Sequence, residues 1–173
     1  VMDANLCEMA ILPLTVFQPD SLSIVFYDQD EVTTCYDDIT GRIAIQGSGG
    51  TGDISYSING GTAVSVGEFT GLARGSYEVS MIDENLCHKD TTVEILAPDP
   101  IMINNISISD VTGCAGDSNG RIEVDASGGT GQIRYALNGG TSKVSGVFNG
   151  LTAGEYIITA EDANGCTLDT TVS

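Results

Sequence analysis

The sequence predicts an all-β chain of tandem sandwich modules, each about 79 residues long, and three observations carry that prediction. First, residues 35–93 lie over residues 114–172 without a gap, so that Cys114 follows Cys35 by 79 positions and Cys166 follows Cys87 by the same interval. About half of the aligned positions are identical. Second, apolar and polar residues alternate with period two, as a strand with one buried face requires, and no comparable helical period is present. Third, Gly- and Asn-rich segments separate the alternating runs at short intervals, where turns with positive φ are needed. With 22 Gly, no Trp and 41% hydrophobic residues, the chain has enough Ile, Val, Leu, Tyr and Phe to build two modest cores.

The shared skeleton begins with Cys-x-x-Asp-x-x-Gly-Arg-Ile at Cys35 and Cys114, then Ser-Gly-Gly-Thr-Gly at Ser48 and Ser127, and Asn-Gly-Gly-Thr at Asn59 and Asn138. It continues with Gly-Leu-x-x-Gly-x-Tyr at Gly71 and Gly150 and closes with Asp-x-Asn-x-Cys at Cys87 and Cys166. The closing pattern also stands at Asp3–Cys7, which predicts that residues 1–19 are the C-terminal remnant of a preceding repeat in a longer parent. Pro19-Asp20 and Pro98-Asp99 then mark the joints, giving modules at 20–98 and 99–173, with the last strand of the second cut short.

In the second module, strands are expected near 101–111, 121–127, 132–138, 155–161 and 166–173, with a middle region over 141–149. Arg121–Ala126 alternates cleanly, as do Ile54–Ile58 and Tyr77–Met81 in the first module. The Ser-Gly-Gly-Thr-Gly and Asn-Gly segments are expected to close hairpins. The Leu-x-x-Gly-x-Tyr run has the form of the tyrosine corner of Ig-like sandwiches, which makes Tyr77 and Tyr156 structural. The fold class is therefore tandem Ig-like (Greek-key) β-sandwich repeats, seven strands to a module. Tyr56, Phe69, Leu72 and Tyr77 are expected to be buried in one module, and Tyr135, Phe148, Leu151 and Tyr156 in the other.

Six basic against 24 acidic residues give a net charge of -18, which repels nucleic acid and anionic lipid. No segment has the apolar length for a membrane helix, and Val1–Asn5 is not a signal peptide. Such acidity suits a solvated, self-repelling surface that keeps a long filament soluble, or recruitment of calcium.

In order and twice repeated, Cys-x-x-Asp-x-x-Gly, Gly-Gly-Thr before a Tyr-containing strand, Leu-x-x-Gly-x-Tyr and Asp162-Ala163-Asn164-Gly165-Cys166 resemble the SprB repeat. That family forms long arrays in adhesins of gliding and surface-colonising Bacteroidota. The resemblance implies an extracellular, cell-surface location, export through the type IX system, and a structural or adhesive role in a filament used for attachment or gliding motility. Expected partners are neighbouring repeats of the same chain or filament, surface glycans and other cell-surface proteins. The alternative functions are a glycan- or calcium-binding module, or accessory repeats of a secreted enzyme.

No catalytic residues are expected. His88 is the one histidine and has Thr167 at its place in the other repeat, so it lacks a repeated partner for acid–base work. The Ser-Gly-Gly-Thr-Gly loops precede strands and lack the Lys-Ser/Thr of a phosphate-binding loop. No cofactor is expected other than calcium, for which Asp117 with Asn119 and Asp162 with Asn164 supply hard oxygen donors. Asp-x-Asn-Gly is equally a tight-turn sequence whose side chains bond their own backbone. The family resemblance also marks Ser21, Thr91 and Thr170 as O-glycosylation candidates, at Asp20-Ser21-Leu22, Asp90-Thr91-Thr92 and Asp169-Thr170-Thr171.

Five cysteines in regular places suggest an oxidising compartment. The disulfide candidates are Cys35, Cys87, Cys114 and Cys166, with Cys7 paired outside the chain. Equal spacings invite bridges inside each module, Cys35 to Cys87 and Cys114 to Cys166. An Ig-like strand order instead puts the two cysteines of a module at opposite ends of a strand of about eight residues, roughly 26 Å long at 3.3 Å per residue. A disulfide needs Cα atoms within about 7 Å. Across a head-to-tail joint, Cys35 faces Cys166. Pairs within modules, a pair between modules and free thiols all remain open at this level.

Overall fold

The computed structural model describes residues 14–173. Among these it contains twelve strands and no helix. Module 1 holds β1 (Ser23–Asp30), β2 (Gly41–Ser48), β3 (Ser55–Ile58), β4 (Glu68–Leu72), β5 (Gly75–Ile82) and β6 (His88–Ile95). Module 2 repeats them as β7 (Met102–Ser109), β8 (Gly120–Ser127), β9 (Arg134–Leu137), β10 (Val147–Leu151), β11 (Tyr156–Glu161) and β12 (Thr167–Val172).

Each module is two three-stranded antiparallel sheets, β1-β2-β4 over β3-β5-β6 and β10-β8-β7 over β12-β11-β9. Chain order crosses between the sheets after β2, after β3 and again after β4, which makes the arrangement Ig-like and Greek-key. The expected seventh strand is absent from the described residues. The stretch that would form it keeps a single bridge, Tyr56 to Val64 in module 1 and Tyr135 to Lys143 in module 2. Val64 and Val66 are exposed there, so this stretch has no buried face to hold a longer ladder.

The alternation is visible in burial. In β2, Ile43 and Ile45 face the core, and they meet Val79 and Met81 of β5 and Val93 and Ile95 of β6. In module 2 the matching core is Ile122, Val124, Tyr135, Phe148, Ile158 and Ala160. Of the eight side chains expected inside, Tyr56, Tyr135 and Phe148 are buried, while Phe69, Leu72, Tyr77, Leu151 and Tyr156 are half-buried and packed against these clusters. The Tyr56 hydroxyl accepts a bond from the Gly47 N–H at 3.0 Å, and Tyr135 accepts one from Ala126 at 3.0 Å. Each tyrosine thus pins one sheet to the other.

The two turn types behave differently. Asn59 and Gly60 have φ of 48° and 67°, and the Gly61 N–H returns to the Ile58 carbonyl at 2.8 Å, the geometry of a two-residue hairpin turn. The Ser-Gly-Gly-Thr-Gly segments do not close hairpins, contrary to the expectation from sequence. They join β2 to β3 and β8 to β9, which lie in opposite sheets, so the chain arches over the end of the sandwich. Gly128, at φ 90°, makes the arch possible, because a Cβ there would stand 1.9 Å from the Pro100 carbonyl oxygen.

The tyrosine corner is present in both modules. The Tyr77 hydroxyl donates to the Ala73 carbonyl at 2.9 Å and that of Tyr156 to the Thr152 carbonyl at 2.8 Å. Replacing Tyr156→Phe keeps the packed ring and removes this bond together with the longer 3.3 Å contact between the Tyr156 and Thr152 hydroxyls. Module 2 should lose about 1 kcal/mol, read in urea as a lower midpoint at unchanged slope. An unchanged midpoint would deny the corner any net stabilising role.

Candidate functional site, the joint between the modules

The repeated motifs converge on the two ends of each sandwich. At one end, Cys-x-x-Asp forms a self-closed turn. The Cys35 N–H donates to Asp38 Oδ2 at 2.9 Å, and the Asp38 N–H donates to the Cys35 carbonyl at 3.1 Å. A side-chain bond from Thr34, and after it the Cys35 N–H, holds the Asp38 carboxyl below its ordinary value. Cys114 and Asp117 form the same turn, at 2.7 and 3.1 Å.

At the other end, Asp-x-Asn-x-Cys organises the turn between the last two strands and ties it to the glycine arch. Asp162 is buried, its Oδ1 accepting from the N–H of Asn164 and Cys166 at 2.9 Å each and its Oδ2 from the Thr130 N–H at 2.7 Å. Asp83 does the same in module 1 toward Asn85, Cys87 and Thr51. Burial pushes both carboxyls up, but the bonds from several backbone N–H groups outweigh it and leave both below the usual carboxylate value.

The joint brings the Cys-x-x-Asp end of module 1 onto the Asp-x-Asn-x-Cys end of module 2. Cys35 and Cys166 are bonded, with Cα atoms 5.7 Å apart. Asn164 Nδ2 donates to the carbonyls of Thr33 and Thr34, each at 3.0 Å. The connecting peptide is held from both sides, since the Val32 N–H donates to Leu96 O at 2.9 Å and the Gly129 N–H to Asp99 O at 2.8 Å. A cleft of about 490 Å³ between Tyr36, Pro98, Pro100 and Asp162 runs beside the bond.

The structure thus forms the pair between modules and neither of the pairs within them. Cys87 and Cys114 are exposed free thiols, and Cys7 lies outside the described residues. The physical reason is the topology: within one module the two cysteine turns sit at opposite ends of the sandwich.

The four calcium candidates are not brought together. Asp117 and Asn119 lie in the turn before β8, where Asn119 Oδ1 accepts from Thr112 N–H and its Nδ2 donates to Thr112 O. Asp162 and Asn164 lie at the far end of the same module, where both Asp162 oxygens accept from backbone N–H groups and the Asn164 amide nitrogen donates across the joint. No cluster of three or more metal-binding side chains occurs among the described residues. Ser21 is exposed ahead of β1, whereas Thr91 and Thr170 are half-buried on the core-facing side of β6 and β12. His88 is exposed, with Nε2 3.9 Å from an oxygen of Asp90.

Two features of the joint escape a reading by residue type. The coupling of Asp162 to Thr130 had a signal, namely that Asp-x-Asn-x-Cys and Ser-Gly-Gly-Thr-Gly recur together at one offset. The Thr33 and Thr34 acceptors had none, because they are backbone carbonyls.

Comparison with known proteins gives one family match. Residues 105–142, from inside β7 to the turn after β9, match the SprB repeat. Among solved structures, the C-terminal 282-residue fragment of intimin in complex with the Tir intimin-binding domain is similar at 19% identity and TM-score 0.42, over 87% of this chain and 64% of that one. PcdhgB3 EC1-4 is similar at 12% identity and TM-score 0.46, over 88% of this chain and 48% of that one. DIP-gamma IG1+IG2 is similar at 13% identity and TM-score 0.42, over 88% and 96%. No curated protein sequence matches this chain.

Proposed function

Because the second module carries a SprB repeat at residues 105–142 and the first repeats its motifs 79 positions earlier, we propose that the chain is a load-bearing segment of a cell-surface adhesin or filament of a gliding or surface-colonising bacterium. The observation that carries this reading is the joint: tandem modules are stapled by Cys35–Cys166 and by the two Asn164 bonds. A disulfide persists in an oxidising, extracellular setting. Its position resists bending between modules, the property an extended stalk needs. The role is structural and adhesive rather than enzymatic, and the net charge of -18 keeps neighbouring stalks apart.

The test is made on cells that produce the parent protein. Antibodies against this segment should label intact cells, and deletion of the gene should impair attachment to a solid surface. Labelling confined to permeabilised cells, or attachment unchanged by the deletion, would overturn the reading.

A further inference from the structure

The sheet β1-β2-β4 of module 1 turns one face to the core and the other to solvent. On the outer face Phe26 stands across from Gln46, Asp28 across from Ala44 with Glu68 beyond it, and Asp30 across from Arg42. A groove of about 280 Å³ runs over this face, lined by Ala44 and Gln46 of the middle strand, Phe26 on one side, Val66 and Glu68 on the other, and Arg42. Phe26 and Val66 are 50% and 66% exposed, and Ala44 puts only a methyl group on the middle strand between them. Three exposed carboxylates share one guanidinium here, since Arg42 lies 3.2 Å from Asp28, 3.5 Å from Asp30 and 2.8 Å from Glu68. Two negative charges therefore stand beside the apolar groove without a counter-charge among the described residues.

Module 2 supplies an internal comparison. Seventy-nine residues on, it has Asn105 for Phe26, Ser107 for Asp28, Ser109 for Asp30, Glu123 for Ala44, Asp125 for Gln46 and Ser145 for Val66, and β7 pairs with β8 in the same register. There the carboxylates stand on the middle strand and each has a partner: Glu123 pairs with Arg121, and Asp125 accepts from Asn104 Nδ2 at 3.1 Å. Both modules build the same sheet, so the fold does not demand the apolar, charge-flanked face of module 1. Asn105 is exposed with module 1 standing before it, which places this face clear of a joint.

We propose that this face of module 1 binds a short basic segment of a partner protein, in which Lys or Arg residues are interspersed with apolar ones. Apolar side chains of the segment cover Phe26, Ala44 and Val66, while its ammonium or guanidinium groups lie against Asp28, Asp30 and Glu68, the arrangement that charge complementarity selects. A cation that reaches the face of the Phe26 ring gains further from the ring's quadrupole. A second copy of this chain is the wrong occupant, because a net charge of -18 on each copy repels the other. A neutral saccharide would leave the two negative charges uncompensated. The inference names a partner class for the adhesive reading above and rests on that reading only for its biological setting.

The test titrates the full, nitrogen-labelled chain at low salt with the acetylated and amidated peptide Lys-Val-Lys-Val-Lys and follows the backbone amide resonances. Shifts should concentrate in residues 26–30, 42–46 and 66–68 and be absent from the equivalent 105–109, 121–125 and 145–147. The peptide Lys-Gly-Lys-Gly-Lys should bind about tenfold more weakly, since it keeps the charge and loses the apolar contact, and Glu-Val-Glu-Val-Glu should cause no shifts. Phe26→Asn, which installs the residue of module 2 without changing the charge, should also lower the affinity about tenfold. Ala44→Glu should lower it as well, although it adds a negative charge. Equal shifts in the two modules, or equal affinity for the two lysine peptides, would overturn the proposal by showing a diffuse attraction of cations to an acidic chain. So would a complete lack of shifts, or unchanged affinity in Phe26→Asn. None of these results touches surface labelling or attachment, so the two readings fail separately.

Discussion

Pulled from its two ends, the oxidised chain is expected to extend roughly 450 Å less than the same chain in reductant. The bond closes a loop with a sequence separation of 131 residues, and an unfolded chain spans about 3.3–3.6 Å per residue. Force entering through β1 reaches Cys35, crosses to Cys166 and leaves along β12. β2 to β11 lie inside the loop and bear no tension until the bond is cut. Single-molecule stretching with and without a thiol reductant measures the difference, and Cys166→Ser should behave in either buffer like the reduced chain. Equal contour lengths in both buffers would remove the mechanical reading of the joint. Were every joint of an array bonded in this way, the modules would keep their shape under load, and an adhesin would keep its reach.

The second large effect is expected from Asp162→Ala. The substitution leaves the N–H groups of Thr130, Asn164 and Cys166 without their charged acceptor. A bond to a charged acceptor contributes about 1.5–3 kcal/mol, and part of that returns where water reaches the freed groups, so module 2 should lose about 3 kcal/mol. The arch from β8 to β9 and the Cys166 turn loosen together, so Cys35–Cys166 should also be reduced faster by dithiothreitol. The pH dependence has a definite sign. The folded-state value of Asp162 lies below the unfolded one, so its contribution is complete above about pH 4, the ordinary carboxylate range, and is lost as pH falls through the folded value. Urea midpoints should therefore converge for the wild-type chain and Asp162→Ala in strong acid and separate near neutrality. A gap that persists at low pH would show that lost packing, not the charged clamp, causes the destabilisation.

Much of this architecture was legible before any coordinates. The offset of 79 residues, the period-two runs such as Arg121–Ala126 and the Leu-x-x-Gly-x-Tyr segments are local signals. Each reports a physical demand that acts over a few residues: a one-sided core, a positive φ, a hydroxyl returning to backbone four residues away. These demands are met at the expected places, down to the bonds of Tyr77 and Tyr156. The hairpin expected at Ser-Gly-Gly-Thr-Gly failed for a reason outside the segment. Glycines with positive φ permit either a hairpin or an arch, and the choice was made by the carboxylates of Asp83 and Asp162, 32 residues away, which bond Thr51 and Thr130.

By itself, then, the sequence determined an all-β repeat chain, its module length, its tyrosine corners and the cysteine-bearing turns. Only the tertiary structure decided which sheet each strand joins and which cysteines meet. Spacing along the chain is equal for Cys35–Cys87 and Cys114–Cys166, so it cannot rank the pairings. A disulfide forms where Cα atoms come within a few ångströms, and the sandwich carries the two cysteines of one module to opposite ends while stacking sets Cys35 5.7 Å from Cys166, measured between Cα atoms.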